Sequence, residues 1–425
     1  MQDQTQQKDV RGVRARQALP LAGVRVLELS HIVAGPSGGI MLGDLGAEVI
    51  KIEHPDVGDT ARGMANQGTV FYTFNRNKQY LALDMRQPQG REVFEKLVAS
   101  ADIVLDNFAP GALQRMGLGY EWGRSINPRI IYCSIKGFLP GPYEDRPFLD
   151  ELAQMAGGLA YLTGLKDKPM RAGASITDIG AATYGVMGIL AALYRREKTG
   201  IGEHIESGLY ETVVFWISQH VTTAQVKGVN PPSRGERESG IGGNMGWGVY
   251  RLFGTRDGKQ VFIAVTGNRH WKGLCEALGF DDWKDSPEFN NNRKRTAQKP
   301  LIAERVAAAV KAYSYDEITE RLYQALVPYA PVNTPMDLVE DRHMNEGGHW
   351  LELEVPGRTV KVPKLPFSMG ETEDFSVRRH PGNLGADTDA ILTGLGYSQA
   401  DIEALKAARV ALCSDRMLNV GEAEG

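Results

Sequence analysis

The stretch VRVLELSHIVAGPSGGIMLGDLGAEVIKIE, residues 24–53, decides the fold. Its compact apolar run at 24–30 predicts a buried strand, and EVIKIE at 48–53 predicts a second one. Between them, Pro36 lies near the start of a helical segment and Gly46 lies at its end. Strand, helix and strand in this order are typical of a parallel α/β unit.

The same rhythm continues along the chain. Further strands are predicted at LALDM (81–85), DIVLDNF (102–108) and RIIYCSIKGF (129–138), and a helix at PQGREVFEKLVAS (88–100). This alternation predicts an α/β fold with a doubly wound, Rossmann-like sheet, whose ligand should lie beyond the carboxyl ends of the strands. Residues 150–227 are predicted to be mostly helical.

A change of composition marks a second domain. KGVNPPSRGERESGIGGNMGWG (227–248) is rich in Gly, Pro and charge, which predicts a loop or domain boundary. The next segments predict a hairpin turning at Asp257-Gly258, helices at 271–278 and 299–327, a breaker at 328–335, a β-like segment at 349–367 and a short helix at 401–410. We therefore predict a flexible extension at 1–19, a large α/β domain at 20–227 plus 336–425, and a small α+β domain at 228–335.

Composition narrows the class of protein. The chain has 425 residues, 42% of them hydrophobic, and a net charge of −4, which argues against a general nucleic-acid binder. Its three cysteines are widely spaced, without a CxxC pair or a His cluster, so we expect neither a disulfide framework nor a metal site. The polar N-terminus lacks a signal-peptide core, and no uninterrupted apolar run reaches the roughly 18 residues of a membrane span. We expect a cytoplasmic protein without membrane partners.

One carboxylate lies at the head of an apolar helix. In GASITDIGAATYGVMGILAALYRREKTG (173–200), Asp178 precedes an uncharged run from Ile179 to Leu193, and Gly200 ends the helix after a cationic last turn. Asp178 could be a helix cap that satisfies backbone N–H groups at the helix start. It could also be a nucleophile or base at the mouth of a buried site. The local pattern leaves both interpretations open.

Polar segments follow each predicted strand. They bring cations to one edge of a parallel sheet, which suits a ligand with several phosphates; these cations are Arg62, Arg86, Arg115 and Lys136. The first strand is followed by AGPSGG, so a GxGxxG dinucleotide site is poorly supported. GIGGNMGWG (240–248) is the one Gly-dense loop, and it could bring backbone N–H groups to a ligand or act as a flexible hinge.

Together these segments resemble the family III CoA-transferases, which include formyl-CoA:oxalate and carnitine CoA-transferases, with α-methylacyl-CoA racemase as a relative. The resemblance covers roughly residues 20–408. It rests on several segments in the family's order, among them PLAGVRVLELSHIVAGP, LGDLGAEVIKIEHPDVGDTAR, DIVLDNFAPGALQRMGLGY, SITDIGAATYGVMGILAALYRREKTG and LGADTDAILTGLGYSQADIEAL. It implies two ring-like subunits threaded through each other as an interlocked homodimer.

The resemblance also implies residue roles. Asp178 would be the nucleophile that forms an aspartyl mixed anhydride and then an aspartyl-CoA thioester. Coenzyme A would be the co-substrate, with no metal, and the acceptor would be a small carboxylic acid. The positions that would hold CoA are His31, Val33, Ala34, His54, Leu83, Met85, Arg86, Asn107, Phe108, Arg115, Lys136, Gly137 and Phe138. Gly240, Gly242 and Gly243 would form the loop that shields the acyl group.

The chain departs from the family pattern at the pocket. Val33, His54 and Met64 replace a Gln, an Arg and a Trp of formyl-CoA:oxalate CoA-transferase, so oxalate is not the expected acceptor. We expect transfer from an acyl-CoA such as succinyl-CoA to a dicarboxylate or a sulfur analogue. The alternatives are an acyl-CoA racemase or isomerase and a non-catalytic acyl-CoA-binding relative. The racemase interpretation is weakened because Phe148 lies where that relative has its catalytic His, and racemisation needs two proton-transfer groups.

Overall fold

The computed structural model describes residues 18–64, 68–239, 246–372 and 374–414. Internal contacts divide the chain into two compact units. The large unit comprises 1–157, 172–216 and 348–425, and the small unit comprises 158–171 and 217–347. The small unit is thus more extensive than the predicted small domain. Residues 1–17 of the predicted flexible extension lie outside the described residues, and Leu19 is buried.

The described residues form twelve strands and twenty α-helices. The strands are β1 Arg25–Leu29, β2 Glu48–Glu53, β3 Lys78–Leu83, β4 Ile103–Asp106, β5 Ile131–Lys136, β6 Glu203–Gly208, β7 Val249–Gly254, β8 Gln260–Val265, β9 Tyr329–Pro331, β10 Trp350–Val355, β11 Arg358–Pro363 and β12 Ala411–Leu412. The helices are α1 Ala34–Asp44, α2 Thr69–Phe74, α3 Pro88–Ser100, α4 Ala112–Arg115, α5 Tyr120–Ile126, α6 Asp150–Ala156, α7 Leu159–Thr163, α8 Ile176–Thr199, α9 Leu209–Trp216, α10 Ser218–Lys227, α11 Arg234–Ser239, α12 Asn268–Leu278, α13 Asp281–Lys284, α14 Asn292–Ala297, α15 Lys299–Val310, α16 Tyr315–Gln324, α17 Pro335–Val339, α18 Arg342–Glu346, α19 Thr388–Gly394 and α20 Gln399–Ala407.

The large unit is built on a seven-stranded sheet. The strand order is β12-β3-β2-β1-β4-β5-β6, and all neighbours are parallel except β12, which runs antiparallel to β3. On one face, Phe94 of α3 packs in a core with Leu27 and Leu29 of β1. On the other face, α1 and α8 cross the sheet, and Gly185 of α8 lies against Cys133 of β5. The predicted doubly wound α/β fold is therefore confirmed.

The small unit contains a three-stranded sheet in the order β7-β8-β9. Strands β7 and β8 form the predicted hairpin, and Gly258 adopts a φ of +80° in its turn, which glycine tolerates without steric cost. The inner face of this sheet packs against α12, where Trp271 is 2% exposed. The hairpin turn at Asp257-Gly258 is confirmed.

Residues 150–227 are mostly helical, as predicted, although the unpredicted strand β6 lies among these helices and pairs with β5. Three other local predictions were wrong. Strand β3 begins at Lys78 rather than at residue 81. The helical segment 299–327 is interrupted after Val310, and the breaker at 328–335 contains β9, which pairs with β8.

Helix α8 is the longest helix among the described residues. By length and composition alone, it is apolar enough to cross a membrane. It packs against helix α1 and against strands β5 and β6. The core helix of a globular enzyme passes the same test, so this property adds no argument for a membrane location.

Helix α1 approaches the sheet closely because it carries glycines on its inner face. A Cβ added at Gly39 would lie 1.7 Å from Glu28 Oε2 and 3.0 Å from Lys78 Nζ. Those two side chains form a fully buried ion pair with a separation of 2.7 Å. The close packing of α1 therefore depends on glycine at this position.

We expect Gly39→Ala to lower the free energy of unfolding by about 2–4 kcal/mol, because the new methyl group displaces Glu28 from a buried pair. Urea denaturation followed by circular dichroism measures this change. Gly394→Ala, on an exposed part of α19 with no atom within 4 Å of the added Cβ, is the matched control and should change stability little. Equal stability of the two variants would contradict the proposed packing constraint.

Candidate active site

Asp178 lies in the first turn of α8 and is half-buried. The last turn of α8 meets the start of β4, where Arg196 bonds Asp102 at 2.8 Å. Because the helix has 24 residues, which span about 36 Å, its first turn projects beyond the opposite edge of the sheet. That edge is formed by the carboxyl ends of the parallel strands, where ligands of doubly wound proteins bind.

The helix cap is supplied by a different residue. Ser175 occupies the N-cap position of α8. The Asp150 carboxylate, from α6, accepts hydrogen bonds from the Thr177 N–H at 2.8 Å, the Thr177 hydroxyl at 2.5 Å and the Asp178 N–H at 3.3 Å. Among the described residues, the Asp178 carboxylate accepts no hydrogen bond. The capping role considered for Asp178 therefore belongs to Asp150, which leaves the Asp178 side chain available for chemistry.

The electrostatic environment of Asp178 is unusual for a surface carboxylate. Burial raises the pKa of Asp178, and the negative charge of Asp150 raises it further, to about 7. A carboxylate with a pKa near neutrality is a stronger nucleophile than an ordinary one and is still substantially ionised at pH 7.

Asp150 is itself fixed by a buried amide. Gln154 donates from Nε2 to the second oxygen of Asp150 at 2.7 Å and accepts from the Ala172 N–H at 2.8 Å. Gln154 is fully buried, so this orientation has no solvent alternative. Sequence analysis missed both residues. The one available signal is the acid in RPFLDEL (146–152), which lies 28 positions before Asp178.

The loops after β1 and β4 lie together. The Asn107 side chain accepts from the His31 N–H at 2.9 Å and donates to the His31 carbonyl at 3.0 Å. The His31 ring stacks on Phe108 with a centroid distance of 5.3 Å. Three predicted CoA-binding residues are thus joined in one cluster at the carboxyl edge. Val33 is the N-cap of α1 and Ala34 is its first residue, so both lie next to this cluster.

Three predicted ligand contacts have buried side chains. Leu83 and Met85 belong to the core beneath the sheet, with exposures of 2% and 8%. Phe138 is also buried and packs on Phe148 at a centroid distance of 4.1 Å. Gly137 lies directly beside Phe148, where an added Cβ would be 2.4 Å from its Cβ. A ligand would reach these positions through backbone atoms.

The cations predicted at this edge differ in how far their side chains are available to bind a ligand. Arg62 is buried, and its guanidinium makes two bonds of 2.7 Å to Glu53 and lies 3.8 Å over the Phe71 ring. The expectation that Arg62 faces a phosphate ligand was therefore wrong, since its charge is balanced inside the protein. Lys136 is paired with Glu206.

Two arginines remain closer to solvent. The Arg86 side chain is 64% exposed; it is held by Asp84 at 2.9 Å and contacts His54. Arg115 folds over Gly111 and donates to the Pro110 carbonyl at 2.8 Å. The predicted loop residues Gly240, Gly242 and Gly243 lie outside the described residues. Their role and the other site assignments remain predictions.

A seven-stranded, doubly wound sheet with a half-buried carboxylate at its carboxyl edge is typical of an α/β protein that binds its ligand at that edge. A family profile described as CoA-transferase family III matches residues 21–388. The chain belongs to this family, whose members use an acyl-CoA as co-substrate.

Several relatives have stated activities. The chain is 33% identical to the succinyl-CoA–L-malate CoA-transferase beta subunit of Chloroflexus aurantiacus, across 92% of this chain and 98% of the relative. It is 32% identical to a formyl-CoA:oxalate CoA-transferase of Rhodopseudomonas palustris, across 90% and 95%. It is 31% identical to the succinyl-CoA:glutarate CoA-transferase of Mus musculus, across 91% and 89%.

Solved structures share the fold over most of the chain. A CAIB/BAIF family protein of Brucella suis matches with a TM-score of 0.77 and 31% identity, across 89% of this chain and 100% of the other. A hypothetical protein of Mycobacterium tuberculosis matches with the same TM-score and 25% identity, across 89% and 100%. The predicted family resemblance is confirmed.

Proposed function

We propose that this protein transfers CoA from an acyl-CoA, with succinyl-CoA as donor, to a small dicarboxylic acid or a sulfur analogue of one. The observation that carries the proposal is the carboxylate of Asp178, which lies at the ligand-binding edge with a pKa near 7 and no hydrogen-bond donor among the described residues. Two relatives with succinyl-CoA in their names support the choice of donor.

The proposed reaction proceeds through four exchanges at carbonyl carbons. Asp178 attacks the thioester and expels CoA thiolate, which gives a mixed anhydride. The thiolate attacks the Asp178 carbonyl of this anhydride, releases the donor acid and leaves an aspartyl-CoA thioester. The acceptor carboxylate then displaces the thiolate to form a second anhydride. Finally, the thiolate attacks the acceptor carbonyl, and the new acyl-CoA leaves with Asp178 regenerated.

The environment of Asp178 suits these steps. A partly desolvated carboxylate held against its target reacts faster than one in water. The four reaction steps together consume and release no proton, so the site needs no separate acid and base. Both anhydrides hydrolyse readily, so water has to be excluded, and the apolar body of α8 behind Asp178 contributes to that exclusion.

The proposed CoA site follows the carboxyl edge of the sheet. The joined loops after β1 and β4 would receive the nucleotide through backbone groups of His31, Val33 and Ala34 and through the Phe108 ring. Arg86 lies three residues after the end of β3 with its side chain 64% exposed, and it would pair with a phosphate. Lys136 would serve the same role only by sharing its charge with Glu206.

We also propose that the enzyme is an interlocked homodimer located in the cytoplasm. One face of α8 is exposed and apolar, with Met187, Leu190 and Tyr194 between 40% and 68% exposed. A stripe of this kind usually marks an interface. Cys133 and Cys275, both buried as free thiols, suit a reducing compartment.

We expect Leu190→Asp to lower the free energy of unfolding of the dimer by about 3 kcal/mol or more, because it places an unpaired carboxylate in an apolar interface. Urea denaturation followed by circular dichroism and light scattering measures this change, since threaded subunits separate only when they unfold. Gln399→Asp adds the same charge at an exposed position in the first turn of α20 and should leave the free energy of unfolding unchanged. A Leu190→Asp protein as stable as wild type would contradict the proposed interface.

The experiment that tests the proposed function is a product assay in D₂O. The purified protein is incubated with succinyl-CoA, acetyl-CoA or a 2-methylacyl-CoA and with a panel of mono- and dicarboxylic acids, and acyl-CoA products are identified by mass spectrometry. New thioesters without deuterium are expected. Deuterium at the α-carbon without a new thioester would replace the proposal with a racemase. No turnover with any pair would favour a binding role.

A further inference from the structure

Ile32, in the loop after β1, has an unusual backbone conformation. Its φ is +64°, in the left-handed region, and its side chain is exposed. A β-branched residue is disfavoured in this region because its Cβ crowds the neighbouring carbonyl oxygen. Such a conformation persists only where the surroundings impose it, and it is found more often at functional sites than elsewhere.

The surroundings that impose it are centred on Asp59. One carboxylate oxygen of Asp59 accepts the Ile32 N–H at 3.0 Å and the Ala61 N–H at 2.9 Å. Asp59 is itself fully buried and caps the short 3₁₀ turn Thr60–Gly63. Its own N–H donates to Glu53 at 2.8 Å. The loop after β2 therefore holds the loop after β1 through one backbone amide.

A buried ionic network fixes the other side of Asp59. Lys51 Nζ lies 3.0 Å from Asp59, 3.0 Å from Glu28 and 2.9 Å from the Ser30 carbonyl oxygen, and the three charged side chains are fully buried. Burial alone would raise the pKa of Asp59, but Lys51 and the backbone donors outweigh it and lower that pKa to about 2. Asp59 is thus a charged acceptor with no room to move.

We propose that Asp59 is a positioning residue for the reaction: by holding the Ile32 amide, it keeps the loop His31–Ala34 in the conformation that receives the acyl-CoA. This inference rests on the proposed function, because the loop's ligand is part of that proposal. The positive φ at Ile32 is disfavoured for isoleucine, so this conformation does not arise from the local sequence alone. Asp59 acts from inside the protein and does not touch the ligand.

The kinetic test compares the acyl-CoA KM of four proteins: wild type, Asp59→Ala, and Asp59→Ala combined with Ile32→Gly or with Ile32→Ala. We expect Asp59→Ala to raise KM about tenfold or more while kcat changes less than about threefold. Glycine at position 32 should restore most of the KM, because glycine adopts positive φ without steric cost, whereas alanine should not. Both second changes remove the same isoleucine side chain, so only the backbone preference differs.

Two controls separate positioning from general destabilisation. Asp59→Asn keeps an oxygen for the Ile32 amide and should keep the KM, even if its melting temperature falls. Asp56→Ala removes an exposed acid from the same loop and should change neither property. If Asp59→Ala does not fold, Asp59→Ser replaces it, alone and combined with Ile32→Gly or Ile32→Ala. Equal KM values for the glycine and alanine double variants would overturn the proposal.

Hydrogen–deuterium exchange provides a readout that does not need turnover. The peptide containing residues 30–37 should exchange faster in Asp59→Ala than in wild type, Asp59→Asn or Asp56→Ala. Unchanged exchange in Asp59→Ala would overturn the positioning role even if CoA transfer were established. If the wild-type protein has no transferase activity, the proposed function is wrong. The exchange result would still decide whether Asp59 holds the loop.

Discussion

Asp178→Asn is expected to reduce CoA transfer by at least about 10³-fold, because an amide cannot form the anhydride or the aspartyl thioester. The same change should stabilise the protein. The folded-state pKa of Asp178 is raised from 3.8 to about 7, so ionisation of this residue opposes folding as pH rises through that window. At pH 8 we expect the free energy of unfolding of Asp178→Asn to exceed that of wild type by roughly 1–3 kcal/mol.

Thioester exchange assays and urea denaturation at pH 8 measure the two effects on the same preparations. A loss of activity together with a gain in stability identifies a residue kept for chemistry rather than for the fold. Asp167→Asn, at an exposed position in the small unit, is the matched control and should change neither property. Retention of more than about one tenth of wild-type turnover in Asp178→Asn would contradict the nucleophile assignment.

The second large effect concerns the pH dependence of kcat/KM for CoA transfer. With an Asp178 pKa near 7, kcat/KM should rise from pH 5 to pH 8, because at pH 5 only about one per cent of the free enzyme carries the carboxylate. Asp150→Asn should move the midpoint to lower pH by up to about one unit, since burial persists but the neighbouring negative charge is lost. The new amide oxygen can still accept the backbone N–H groups of Thr177 and Asp178.

Initial rates at subsaturating acyl-CoA across this pH range test the prediction. Glu151→Gln removes a charge from the same turn of α6, but its side chain is exposed, and the midpoint should not move. A profile that stays flat down to pH 5 would contradict the raised pKa. An Asp150→Asn profile with the wild-type midpoint would assign the shift to burial alone.

The architecture of the large unit could be predicted from the sequence because its central strands are buried on both faces. Such strands form nearly continuous apolar runs, and β2 was predicted with the observed bounds. Strand β6 was not predicted, because its sequence EHIESG contains one large apolar residue, Ile205, and it becomes a strand through its pairing with β5. Tertiary context overrides local pattern at such edges.

The candidate site was only partly predictable. Asp178 was visible as a carboxylate before an apolar helix, but this pattern left a helix cap and a nucleophile open, and only the family resemblance favoured the nucleophile. Its neighbour Asp150 lies on another helix, and nothing in the local sequence indicates that the two are adjacent. The charges of Arg62 and Lys136 were equally visible, but their partners Glu53 and Glu206 are brought to them by strand order. Residue type is local information, whereas pairing and burial arise from the fold.

The most direct test of the central claim is to trap the covalent intermediate. The enzyme is mixed with succinyl-CoA without acceptor, quenched in acid, digested with trypsin and analysed by mass spectrometry. We expect the mass of CoA, minus water, on the peptide spanning residues 172–195, which contains Asp178, and its absence in Asp178→Asn. CoA attached to a different peptide, or product formation by Asp178→Asn at the wild-type rate, would contradict the assignment of Asp178 as the nucleophile.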